Sequence, residues 1–285
     1  MTTSAALPDI GIIGGSGFYS FLSSPEKVAV ETPFGAPSAE VAVGEVAGRR
    51  VAFIPRHGER HQFPPHQVNY RANLWALRAL GVRQVLAPSA VGSLKPELGP
   101  GTFVVPDQVV DRTWGRQHTV HDTGSPLMHV SFADPYCPRG RTAVLSAGDP
   151  TEPALVDGGT LVVIAGPRFS SRAESAWHAA QGWSIVGMTG QPEAALAREL
   201  ALCYTSIAMV TDHDAGVATP GTQADGPADT AARGAEPVTQ ATVLKVFSSN
   251  LDRLRGLLHR SIEQLPNAEP DQTAVCSCRR VLDGI

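Results

Sequence analysis

Two aspartates two residues apart, Asp212 and Asp214, follow the apolar run 204–210. In an extended segment, residues so spaced point to the same side. Partly buried carboxyls placed together resist double ionisation, so one keeps its proton above the usual carboxylate range and can give it to a leaving group. Spacing alone also fits, and slightly favours, a pair of loop or helix-capping aspartates. A second set of residues fits an anion. Gly14-Gly15-Ser16-Gly17 after a strand-like run lets backbone N–H groups approach closely, and Ser16 adds a hydroxyl. Arg56 offers a planar fork of donors matched to phosphate oxygens, with His57 beside it. Ser89 and Thr189 add hydroxyls, and the helix start near Pro192 adds positive potential. The glycine loop lacks the dinucleotide fingerprint, since Ser20 stands three residues after Gly17, and no Lys-Ser/Thr phosphate loop occurs. Free phosphate is therefore expected rather than a cofactor's pyrophosphate. No cofactor is expected. The His and Asp residues show no paired ligand spacing, and phosphate would compete for the ion, so no metal is expected either.

These groups must be positioned by a fold. The run 9–13 reads as a buried strand, 51–55 as a second, and 84–89, 102–105, 108–110, 160–164, 184–187 and 204–210 as others. Apolar residues at 68, 72, 75, 76, 79 and 80 mark one face of a helix that Gly81 stops. Ser171 and Glu174 have capping-box spacing for a helix ending at Gly182. Pro192 suits the first turn of a helix to about Leu200. A long final helix from about Val238 carries apolar positions 247, 251, 254, 258, 262 and 265. Alternating strands and helices predict a single α/β domain with a central mixed β-sheet flanked by helices. Its expected span is 8–266, with 267–285 a loose tail in which Val281-Leu282 could dock. The stretch 215–237, rich in Ala, Gly, Pro and Thr, reads as a mobile lid. In such sheets ligands bind beyond the strands' carboxyl ends. Gly14–Gly17, Arg56-His57, Ser89-Ala90, Met188-Thr189 and Thr211–Asp214 all fall there.

Composition excludes other classes. With 285 residues, 42% hydrophobic, and a net charge of −4, the chain has material for a core and no charge excess for nucleic acid or an anionic membrane. No apolar run has the length of a membrane span, and the N-terminus lacks a signal-peptide pattern, so a cytoplasmic location is expected. The four cysteines, Cys137, Cys203, Cys276 and Cys278, are too few and scattered for a disulfide framework. Cys203 reads as core. Cys276 and Cys278 read as idle thiols on the tail, because a disulfide across one residue would be strained.

In order along the chain, Gly11-Ile-Ile-Gly-Gly-Ser-Gly-Phe18, Arg56-His-Gly58, Val68-Asn-Tyr-Arg-Ala-Asn-Leu-Trp75, Gly166-Pro-Arg-Phe-Ser-Ser-Arg-Ala-Glu174, Gly187-Met-Thr189 with Pro192-Glu193, and Thr211-Asp-His-Asp214 resemble the methylthioadenosine-cleaving branch of the purine nucleoside phosphorylase family. The resemblance implies phosphorolysis, in which phosphate attacks the anomeric carbon as the purine leaves through a cationic, sugar-centred transition state. By matching position, it implies that Ser16, Arg56, His57, Ser89, Ala90 and Thr189 hold phosphate and that Met188 lies against the sugar. Phe169 would stack on or edge the base, and Ser170, Asp212 and Asp214 would face it. The family forms trimers in which a neighbouring subunit partly encloses the 5′ substituent. His129 matches the contributed position, although the residue alone reads as a loop histidine. Relatives acting on 6-oxopurines carry non-acidic groups where Asp212 and Asp214 stand, so a 6-aminopurine is expected. Gly187 departs from the Asn often found there, and 215–237 does not align. The competing readings are a phosphorylase of inosine, guanosine or methylthioinosine, a non-catalytic nucleoside-binding protein, and a hydrolase using water. The anion residues argue against the last two.

Overall fold

The computed structural model describes residues 7–15, 21–122, 128–215, 217, 237–267 and 276–282. Its strands are β1 (Ile10–Gly14), β2 (Ser23–Val28), β3 (Val41–Val46), β4 (Arg49–Pro55), β5 (Gln84–Ser93), β6 (Phe103–Val105), β7 (Gln108–Arg112), β8 (Val156–Asp157), β9 (Thr160–Ile164), β10 (Ile185–Gly187) and β11 (Cys203–His213). The helices are α1 (Tyr70–Ala79), α2 (Pro138–Ser146), α3 (Arg172–Ala180), α4 (Glu193–Glu199) and α5 (Gln240–Gln264). All strands join one mixed sheet.

Strand β1 lies parallel between β4 and β5, and every one of its residues is buried. Burial on both faces explains its unbroken apolar sequence. Its side chains alternate between two cores. Ile10 and Ile12 join Phe53 and Leu86 under α2 and α5. Ile13 joins Ile54 and Val85 under α1 and α4. Leu254, Leu258, Ile262 and Leu265 fill the first core, with Phe247 and Leu251 packed at its edge, so the helical period read in the sequence is the buried face of α5. Ser171 and Glu174 form the expected reciprocal capping box at α3. Helix α1 is capped by Asn69, whose side chain accepts from the Ala72 N–H.

Strand β5 creates the site. Along one edge it pairs with β11 over its whole length. On the opposite edge β1 pairs only up to Leu86, and antiparallel β10 pairs only at Gly92 and Ser93. Strands β1 and β10 therefore run toward one another along that edge, and their carboxyl ends face across the gap between Leu86 and Gly92. That gap is a switch point in the sheet, where loops part and leave a crevice.

The structure docks the end of the tail and corrects the reading of its two cysteines. Residues Ser277–Leu282 form a 3-10 segment that packs against α4. Cys276 and Cys278 are buried with Cys137 and Cys203, which makes them part of an interior cluster rather than idle thiols. Most of the expected lid at 215–237 lies outside the described residues. Among the described residues, no helix is long and apolar enough to cross a membrane.

Candidate active site

A cavity of about 260 Å³ opens at the gap along β5. Arg56 and His57 enter it from the end of β4, Ser89 and Ala90 from the exposed edge of β5, and Met188 and Thr189 from the end of β10. Phe169 and Ser170 come from the loop before α3, and Asp212 and Asp214 from the end of β11. All ten of these residues expected from the sequence line one space. Ser16 lies outside the described residues, while Gly15 beside it lines the wall. His129 is exposed and does not line the cavity of its own chain.

Arg56 is more constrained than a lone anion-binding arginine. Its guanidinium is buried, with Nε donating to Glu193 Oε2 at 2.8 Å and Nη2 to Glu193 Oε1 at 2.8 Å. Nη2 also donates to the Ile13 carbonyl at 2.9 Å, and Nη1 to that of Pro88 at 3.1 Å. Four of the five N–H donors of the fork are thus engaged, leaving one on Nη1. Burial opposes the cation, but the Glu193 carboxylate outweighs it and holds the Arg56 pKa above its ordinary value. The backbone is fixed as well. Asn73 binds Ser38 through two hydrogen bonds, and Ser38 Oγ donates to the Arg56 carbonyl at 2.8 Å. This assigns a local task to the stretch around α1, which contributes no side chain to the cavity wall.

His57 is held as a neutral ring. Burial, then the neighbouring Arg56 cation, lower its pKa to about 4. Its Nδ1 lies 2.8 Å from the Phe63 carbonyl, so Nδ1–H donates there and Nε2 keeps a lone pair. His57 is therefore an acceptor for a protonated anion oxygen. His61, also on the cavity wall, stacks on it with centroids 4.5 Å apart.

The carboxyl pair behaves as a pair of acids. Both line the cavity, whereas His213 between them turns outward to the Pro96 carbonyl. Burial raises the Asp212 pKa to about 6, partly offset by Thr211 Oγ1, which donates to Asp212 Oδ2 at 2.8 Å. Burial also raises Asp214, against an opposing effect of the nearby Ser170 and Ser175 hydroxyls. Among the described residues, Asp214 Oδ2 and Ser170 Oγ are buried with no partner in hydrogen-bonding geometry. The Ser170 and Ser175 hydroxyls lie close enough to Asp214 to lower its pKa yet do not lock it in good geometry, so the group can turn to a ligand. The close approach of β5 is eased by Gly92, where a Cβ would stand 3.1 Å from Asp212 Oδ1 and 3.3 Å from Asp214 Cβ and would press on both acids.

Several contributors had no role assigned to them from the sequence. Glu193 was visible only as the residue after Pro192. Gln240, Val243, Leu244 and Phe247 of α5 complete an apolar part of the wall. Arg116 joins two of the loops, because its Nη2 donates to the carbonyls of Ala165 at 2.8 Å and Met188 at 2.9 Å and its Nη1 donates to that of Gln191. Its guanidinium also lies 5.3 Å from the centroid of the Tyr70 ring. Arg116→Ala would leave those buried carbonyls without donors, so we expect a stability loss of about 1–3 kcal/mol and a rise in KM for both reactants as the Met188-Thr189 loop loosens. Urea titration together with steady-state kinetics checks this, and unchanged KM values would show that the loop holds its place without Arg116.

The geometry can therefore bind an anion beside a polar, partly protonated acid pair, with apolar walls around both. A family model described as the phosphorylase superfamily matches residues 9–263. The chain is 56% identical over 286 residues to a purine nucleoside phosphorylase of Streptomyces coelicolor, covering 97% of this chain and 95% of that protein. It is 61% identical over 209 residues to an S-methyl-5′-thioadenosine phosphorylase of Mycolicibacterium smegmatis, covering 73% and 78%. Among solved structures, a methylthioadenosine phosphorylase sourced from an antarctic soil metagenomic library superposes with a TM-score of 0.84 at 35% identity, covering 97% and 91%. One from Schistosoma mansoni in complex with adenine gives 0.79 at 37% identity, covering 92% and 93%. The nucleoside-phosphorylase resemblance read from the motifs, the mixed sheet and the match over nearly the whole chain agree: this protein belongs to the phosphorylase superfamily.

Proposed function

We propose that the protein is a pentosyltransferase that cleaves methylthioadenosine with inorganic phosphate, giving adenine and methylthioribose 1-phosphate, a step of purine and methionine salvage. The observation that carries this reading is the single cavity in which Arg56, His57, Ser89 and Thr189 face the acids Asp212 and Asp214. Phosphate is the co-substrate, and the reaction needs no further cofactor. Phosphate would take the remaining Nη1 hydrogen of Arg56, the hydroxyls of Ser16, Ser89 and Thr189, and the backbone N–H of Ala90. His57 Nε2 would accept from a protonated phosphate oxygen, which orients the anion. Phosphate then attacks C1′ while the C1′–N9 bond breaks and its electrons move into the purine. The anion beside the sugar stabilises the developing cation, and the fixed arrangement of both reactants supplies much of the remaining acceleration.

Asp212, with its raised pKa, is the group we assign to protonate purine N7. Asp214 and Ser170, both unmatched in the cavity wall, would meet the exocyclic amino group and the rest of the base edge, with Phe169 against its face and Met188 against the sugar. The apolar side chains of Val243, Leu244 and Phe247 suit a methylthio group better than a hydroxyl. His129 of the partner subunit would close the 5′ end in a homotrimer. His129 is exposed, and so is Trp114 at 76%, so both side chains are available for a subunit contact. Light scattering on the eluting protein tests the assembly, and a monomeric mass would remove His129 from the site. The name of the Streptomyces relative favours a second reading, cleavage of 6-oxopurine nucleosides. The acid pair argues for the 6-amino base.

The deciding experiment incubates the protein with methylthioadenosine, adenosine, inosine and methylthioinosine, with and without phosphate, and follows base release. Adenine released fastest from the methylthio compound, and only with phosphate, is the expected result. Equal release without phosphate would mean hydrolysis, and no release with any compound would leave a binding protein.

A further inference from the structure

The four cysteines lie away from the cavity and take no part in the chemistry above. Cys137 is the N-cap of α2, and Cys203 opens β11. Cys276 and Cys278 arrive on the C-terminal segment. All four are buried and free, and their Sγ atoms lie within 4.8 Å of one another. Tetrahedral Zn²⁺ with Zn–S near ~2.3 Å holds its sulfurs about 3.8 Å apart. The Sγ atoms of Cys137 and Cys276 stand 3.6 Å apart. We propose that Cys137, Cys203, Cys276 and Cys278 bind one zinc ion as a structural tetrathiolate that clips the C-terminal segment to α2 and β11.

The surroundings favour thiolates over a plug of neutral thiols. Four thiolates around one divalent ion carry a net charge of −2, which needs compensation in the interior. Arg198 Nη2 lies 3.9 Å from Cys278 Sγ. Arg83, Arg139 and Arg279 line the cleft beside Cys203 and Cys276. Arg198 also donates to the carbonyls of Ser131 and Asp134, which hold its guanidinium beside the sulfur. The Gly140 N–H, in the first turn of α2, donates to Cys137 Sγ at 3.5 Å, and the positive end of that helix faces the sulfur. The Cys276/Cys278 spacing is shorter than the usual zinc knuckle, so the assignment rests on the convergence of three chain segments. With four protein ligands the ion has no open position, and its role is structural. Binding displaces the thiol protons to solvent and couples metal affinity to folding.

The test uses the full chain, purified under reducing conditions without chelator. Elemental analysis should find one zinc per chain, and a mercurial reagent should release it as four thiols titrate. After zinc is removed under reductant, added Co²⁺ should give the visible d–d and near-ultraviolet sulfur-to-metal bands of a tetrahedral thiolate site. Cys276→Ser/Cys278→Ser should lose the zinc and melt at lower temperature, yet retain its rate of base release at 25 °C. Far less than one zinc per chain with no cobalt spectrum would overturn the proposal. So would an intact mass lacking four hydrogens, which reports two disulfides, or full zinc in the double variant. The cobalt spectrum is read on the wild-type chain, so the proposal remains testable even if the variant does not fold.

Discussion

Asp212→Asn should lower kcat/KM for methylthioadenosine by roughly 10²–10⁴-fold, the range of a lost general acid, and shift relative preference toward 6-oxopurine nucleosides. The Asn amide is nearly the same shape and can still accept from Thr211 Oγ1, so the fold has little reason to change. It can donate a hydrogen bond to purine N7 but cannot transfer a proton, so the leaving anion is not neutralised. The same amide can also serve a 6-oxopurine edge. The pH dependence supplies an independent readout. A donor with its pKa raised to about 6 is protonated below that value and ionises above it. If the protonated form reacts, the wild-type kcat/KM falls as pH rises through about 6, and this limb is absent in the variant. Both proteins should be measured at saturating phosphate, because ionisation of phosphate then affects both alike. Parallel pH profiles with unchanged base preference would remove Asp212 from the role of donor and leave Asp214, whose pKa burial also raises.

Local chemistry was legible in the sequence wherever neighbouring residues act together. The carboxyl pair, the Arg56-His57 step, the capping box at Ser171 and the period of α5 each depend on residues within a few positions of one another. What escaped depends on long-range contact. Arg56 and Glu193 are separated by 137 positions, so nothing in either segment reveals their pairing. Arg116 sits in a polar stretch without periodicity, and its role appears only when the loops after β9 and β10 meet around it. Helix α2 was not among the elements read from the sequence, and it contains Pro138 and Gly140, both poor helix formers. Pro138 occupies the first turn, where its missing N–H costs nothing, and at Gly140 a Cβ would stand too close to Thr205 Oγ1 of β11. The tail misled for a related reason. Its composition is that of a loose end, but the partners that bury Cys276 and Cys278 come from two distant segments. His57 was legible as a candidate for the anion site but not as a neutral ring, because its charge state follows from burial and the Arg56 cation, which outweigh the opposing Phe63 carbonyl.

Glu193→Ala should be the most destabilising change at the site, by about 3–5 kcal/mol, because it leaves Arg56 as a buried cation without its counter-ion. Arg56 and Glu193 side chains are 3% and 1% exposed, so water cannot take over the lost contacts without opening the core. The substitution removes two hydrogen bonds from Arg56 and a third from Tyr204 Oη, which donates to Glu193 Oε1 at 2.7 Å. Glu193→Gln keeps the volume and one carbonyl acceptor and should lose less. Urea unfolding of the three proteins gives the ranking. Kinetics then separate structure from function. Glu193 is a positioning residue, reaching the reaction only through the guanidinium it holds, so a loosened Arg56 should raise KM for phosphate far more than KM for the nucleoside. A purely structural role would change stability alone, or disturb both KM values together. Equal stability of the alanine variant and the wild type would mean that Arg56 finds other acceptors in the crevice, and the account of the anion site as a preset, nearly saturated fork would be wrong.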